Sequence, residues 1–147
     1  MISFTGRSYR LIFTDHDALL PVQSPEGRFH HSGQFAIYTS LTPEGCAVAI
    51  KRYLSIADRN RHIIPLNISL DRVADMRGQE HASIVWQGER IAGQPASTWA
   101  ISDAARDRNA QGMLYSSRSR PDLTHLVLFV NTSKQVQVAG DPLPFPA

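Results

Sequence analysis

Apolar and polar residues alternate from Ser8 to Phe13, with Tyr9, Leu11 and Phe13 on one face and Arg10 on the other. This two-residue period predicts a half-buried strand. Thr14 to Gly33 keeps no period, and its recurring Asp, Pro, Ser and Gly read as loop. A second short strand is predicted over Phe35 to Ser40. Thr42-Pro43-Glu44 then gives a helix start: a hydroxyl N-cap, proline at the first helical position and a carboxylate in the first turn. The spacing predicts that this helix runs to Leu54, with Cys46, Ile50 and Leu54 stacked on its buried face.

A third strand is predicted over Ile63 to Leu70, where Pro65 requires an edge or a bulge. Ala82 to Trp86 reads as a short strand or turn. Ile101, Ala104, Ala105 and Arg108 keep helical spacing and predict a second helix over Ser97 to Arg108, with Gly112 beyond its end. Met113 to Tyr115 and Leu123 to Val130 read as strands, the latter a near-continuous apolar run of the kind found in central strands. Gln135 to Val138 alternates like an edge strand. The alternate prolines of the tail from Asp141 to Pro146 predict an extended surface segment. The sum is α+β: a single domain over residues 1–140, of mixed or antiparallel strands with two main helices, followed by a Pro-rich tail over 141–147.

Composition narrows this only a little. With 147 residues, 42% of them hydrophobic, the chain suits one core. The formal charge is +2, yet thirteen of the basic residues are Arg and only Lys51 and Lys134 are Lys. Such a skew fits bidentate contacts to phosphate or carboxylate better than a diffuse basic coat. A single cysteine, Cys46, excludes an internal disulfide framework and a Cys-rich zinc site. The first residues lack an apolar signal-peptide core, and Leu126 to Val130, the longest purely apolar stretch, is too short to cross a bilayer. A cytoplasmic protein without a membrane partner is expected.

No metal is expected. His30 and His31 diverge on an extended chain, no HExxH spacing occurs, and His16 between Asp15 and Asp17 reads as a polar turn. Neither a GxxxxGK[ST] nor a GxGxxG loop is present. Gly27 and Gly33 bracket Arg28, which fits either a turn with a solvated Arg or an Arg offered to an anionic ligand. Ser116 and Ser117 follow a strand without a GxSxG context, and Cys46 reads as core packing. The Arg59-Asn60-Arg61-His62 and Arg118-Ser119-Arg120 clusters lack interleaved aromatics, so no binding of nucleic acid by the chain itself is expected.

Four blocks in order resemble one family. Tyr9-Arg10, Glu26-Gly27-Arg28-Phe29-His30, Ala36-Ile37-Tyr38-Thr39-Ser40 with its following helix, and Gly112 through Arg118 resemble the RES domain, named for an Arg, a Glu and a Ser. The resemblance spans roughly residues 6 to 130 and implies a fold similar to ADP-ribosyltransferases. It further implies a toxin of a type II toxin–antitoxin pair, silenced by an Xre-type antitoxin, with NAD as co-substrate. Family members cleave the nicotinamide–ribose bond and pass ADP-ribose to a protein, to water or to phosphate. Position by position, the resemblance puts Arg10 and Arg28 on the diphosphate, Tyr38 against the nicotinamide ribose and Ser117 on the leaving group. His30 joins the NAD contacts as the residue after the GGRW-like turn.

One departure stands out. The family's Glu falls near Ala49 or Ile50, both apolar, and the nearest carboxylate is Glu44 at the start of that helix. Loss of a water-activating Glu favours mono-ADP-ribosyl transfer to a cellular protein over NAD hydrolysis or phosphorolysis. A reading of another class, a non-catalytic nucleotide- or RNA-binding module, also accommodates the missing Glu.

Overall fold

The computed structural model describes residues 1–51 and 60–145. In chain order the described elements are β1 (Ile2–Phe13), β2 (Ile37–Ser40), α1 (Pro43–Ile50), β3 (Arg61–Met76), a 3-10 turn (Glu80–Ala82), α2 (Gln87–Ile91), α3 (Ser97–Asp107), β4 (Gly112–Ser116), β5 (Thr124–Leu128), β6 (Val136–Val138) and β7 (Leu143–Phe145). The architecture is α+β, with one mixed sheet ordered β1-β2-β5-β4-β3-β6. Among the described pairings only β3–β4 is parallel; the others are antiparallel. A long β1–β3 ladder, from Ile2↔Val73 to Phe13↔Arg61, closes the path into a ring.

That closure explains the core. Strand alternation sends Ile12, Ile64, Leu66, Ile68, Leu114, Leu126 and Leu128 to one face, where they pack together. Met113, Tyr115 and Val127 point the other way, against Phe29, Ala105 and Ala110. β4 and β5 are thus buried on both faces, which is why their sequences read as continuous apolar runs.

Two strands exceed their predicted lengths because pairing partners far away in sequence extend them. β1 and β3 support each other well beyond the stretches where alternation is visible. Pro65 lies inside β3, opposite Tyr9, and its carbonyl accepts from the Ala139 N–H at 2.8 Å. On that side the neighbouring strand is interrupted between β6, which pairs at Leu66–Ile68, and β7, which pairs at Arg61–Ile63. The missing proline donor falls in the gap. The tail does not merely lie on the surface: Leu143, Pro144 and Phe145 pair with β3. Prolines at every second position put all their missing donors on one side of an edge strand, so pairing on the other survives.

α1 starts as expected, the Thr42 hydroxyl accepting from Gly45 N–H at 3.0 Å. A Cβ on Gly45 would come within 2.8 Å of Ser40 Cβ, so glycine lets α1 sit close against β2. Leu54, predicted on its far end, lies outside the described residues. α3 begins with a borrowed cap, Glu89 of α2 accepting from Ser97 N–H at 3.0 Å and Ser97 Oγ–H at 2.9 Å. Among the described residues no helix is long and apolar enough to cross a membrane.

Candidate active site

A cavity of about 730 Å³ opens between the loop preceding β2, the α1 helix and the ends of β4 and β5. Its size lies in the ordinary range of small-molecule and cofactor sites. Arg28, His30, Tyr38 and Ser117, all singled out from the sequence, line it together. His125, Trp86 and Lys51, which no sequence motif marks, border it as well. Among the described residues no group of three or more His, Cys, Asp or Glu could hold a metal.

The loop before β2 supplies Ser24, Glu26, Arg28 and His30 to the lining yet has no regular structure beyond a single Gly27↔His30 bridge. Side chains of α3 hold it by its carbonyls. Thr98 Oγ1–H donates to Arg28 O, Trp99 Nε1–H to Gly27 O at 2.7 Å, and Arg106 to Phe29 O and Phe35 O at 2.8 and 2.9 Å. Asp103 completes the row, accepting from His31 Nε2 at 2.8 Å and Gln34 Nε2 at 2.9 Å. Positions 98, 99, 103 and 106 share one side of a 3.6-residue helix, so one helix face completes a segment that satisfies only part of its own backbone.

Tyr38 fastens the loop from the sheet side. Its hydroxyl accepts from Phe29 N–H at 2.9 Å and lies 2.7 Å from His30 Nδ1. His30 Nε2 is 3.0 Å from the Ser24 carbonyl, which can only accept, so Nε2 carries the proton. Nδ1 is therefore the acceptor, and the phenol donates to it. Burial lowers the His30 pKa and raises that of Tyr38, so both are neutral at physiological pH. A Cβ on Gly27 would meet the His30 ring at 2.4 Å, which fixes glycine at that position.

Arg28 donates through Nη1 to the Ile84 carbonyl and borders the cavity. Ser117 is 4% exposed; its N–H is bonded to Leu123 O at 2.9 Å and its Oγ accepts from Arg120 N–H at 3.3 Å, capping the β4–β5 turn. His125 on β5 faces the same space, its Nδ1 2.6 Å from Ser40 Oγ across the β2–β5 pairing. Burial, and secondarily Arg28, lower its pKa to about 4, so it is an uncharged imidazole there. Burial pushes the Cys46 thiol up to about 11, as suits a packed rather than reactive cysteine.

Arg10 is placed elsewhere. Tyr9 and Leu11 face the cavity, so Arg10 falls with buried Ser8 and Ile12 on the opposite face of β1. Its Nη1 donates to Ala18 O at 2.7 Å and Leu20 O at 2.5 Å, pinning the loop after β1. Burial lowers its pKa to about 10, with Asp17 opposing the shift, and it stays charged. It does not line the cavity with Arg28, contrary to the expectation of a shared diphosphate contact. Glu44 is also outside: it accepts from Arg120 at 3.0 Å with its side chain 61% exposed.

The RES-domain family model matches residues 5–147. The fold is similar to that of a chain in the crystal structure of the M. tuberculosis MbcT–MbcA toxin–antitoxin complex. The TM-score is 0.73 at 19% identity, covering 98% of this chain and 86% of that one. No curated protein matches the chain in sequence.

Proposed function

The chain belongs to the RES-domain family, and from that premise we propose that it is a toxin that cleaves the nicotinamide–ribose bond of NAD and transfers ADP-ribose to a cellular protein. The observation that carries this reading is the convergence of Arg28, Tyr38 and Ser117 on one cavity of about 730 Å³. Arg28 has the planar fork suited to a diphosphate. Tyr38 offers an aromatic wall to the nicotinamide ribose, because its hydroxyl is already committed to Phe29 and His30. The Ser117 hydroxyl accepts from Arg120, which leaves its proton to orient the leaving nicotinamide amide. His30 acts through Tyr38, and Arg10 by holding the loop after β1 rather than by contact with NAD.

Ala49 and Ile50, near which the resemblance places the family's Glu, both line the cavity. Without a carboxylate at that position to activate water, an acceptor that brings its own nucleophile is favoured, which ranks protein modification above hydrolysis or phosphorolysis. The partner of the similar solved structure is an antitoxin. An Xre-type antitoxin covering this mouth with an acidic segment would meet Arg28, Lys51 and Arg118. The test is incubation of the purified protein with adenylate-labelled NAD, with and without cell lysate. A labelled protein band is expected. Free ADP-ribose or its phosphorylated form without a band would move the reading to NAD depletion, and intact NAD in both would favour a binding module.

A further inference from the structure

If NAD is cleaved here, positive charge develops on the ribose, and among the described residues the wall on which the resemblance places the family's Glu offers none of the opposite sign. Ala49 contributes a methyl group and Lys51 beside it a positive charge. Glu44 is turned outward onto Arg120. Among the described lining residues the carboxylate is Glu26. It stands immediately before Gly27, at the first glycine of the family's GGRW-like turn.

Glu26 is held in place. Arg90 of α2 donates to it through Nε at 3.0 Å and Nη2 at 3.3 Å, engaging both oxygens. Arg90 is itself fixed, by the Gln94 carbonyl at 2.9 Å and by the Trp99 ring 5.0 Å away. The Trp99 indole N–H in turn holds Gly27 O. Glu26 borders the cavity and Arg90 does not, so the negative end of the pair faces the ligand space. A carboxylate with both oxygens engaged is a charge of fixed position rather than a mobile proton acceptor, which is what stabilisation of a developing cation needs.

We propose that Glu26 is the anion that faces the reacting ribose in this chain, in place of the family's helical Glu; this rests on the NAD reading above. The C1′–N bond breaks with its electron pair leaving on nicotinamide, which departs neutral. The charge left on the ribose is balanced by Glu26. A lone pair on the nucleophilic side chain of the acceptor protein forms the new bond to C1′, and that side chain's proton passes to solvent. Glu26 moves no proton.

The test compares steady-state NAD turnover, with cell lysate supplying the acceptor and lysate alone as the blank, by wild type, Glu26→Gln, and the double variant Glu26→Gln with Ala49→Glu, each purified and checked for folding by circular dichroism. Glu26→Gln is expected to lower kcat by about 100-fold with KM for NAD within about threefold. Restoring a carboxylate at Ala49 is expected to recover at least about tenfold of that loss. Wild-type kcat in Glu26→Gln, or a loss confined to KM, would overturn the proposal while leaving the NAD reading standing. A folded double variant with no recovery would also overturn it, by making the loss a matter of turn structure. Wild type inert toward NAD, alone and with lysate, would sink both.

Discussion

Acid should destabilise this protein through a residue that no sequence motif marks. His125 is 6% exposed, bonded to Ser40 and near enough to Arg28 to feel its charge. Its pKa falls from 6.5 to about 4 on folding. Between those values the unfolded chain binds a proton that the folded chain refuses, so stability is complete above pH 6.5 and declines as the pH falls toward 4. At about 1.4 kcal/mol per pH unit, the loss attributable to His125 is about 3 kcal/mol, a large fraction of the stability of an ordinary domain. The assay is urea unfolding between pH 4 and pH 7.5, for wild type and His125→Gln. Gln lowers stability at every pH by disturbing the packing, but it should flatten the slope by about 3 kcal/mol across the window. Residual slope of the same sign is expected from His30, whose pKa burial also lowers. A variant with the wild-type slope would refute the reasoning, because it would mean that protonated His125 finds water or a partner without unfolding.

Two further substitutions separate fastening from ligand contact. Tyr38→Phe leaves Phe29 N–H and His30 Nδ1 without their shared partner, and should cost about 2–4 kcal/mol in the urea midpoint at constant m-value. A cost below about 1 kcal/mol would mean that water replaces the hydroxyl. Arg10→Met keeps the aliphatic stem but strands the Ala18 and Leu20 carbonyls, and should cost about 3 kcal/mol or more. An unchanged midpoint with lost NAD binding would return Arg10 to the ligand.

Local patterns determined much of the framework. The β1 alternation, the Thr42-Pro43-Glu44 start, the α3 periodicity and the two-faced apolar run of β5 are consequences of side-chain period and backbone chemistry, and they formed where the chain implied. The four ordered blocks likewise carried the family, and they brought Arg28, His30, Tyr38 and Ser117 to one cavity.

What the chain could not decide locally was which face of each strand meets the cavity and which distant segments meet there. The alternation already set Arg10 opposite Tyr9, yet only ring closure through β1–β3 made Tyr9's side the cavity side and Arg10's the interior. His125 reaches Ser40 through the β2–β5 register, and Glu26 reaches Arg90 because α3 clamps the loop between them. The edge pairing of the proline-rich tail needed β3 already in place. Period and capping are properties of a few consecutive residues, whereas register, closure and the docking of an irregular loop depend on which long-range contacts best offset the entropy of closing the chain.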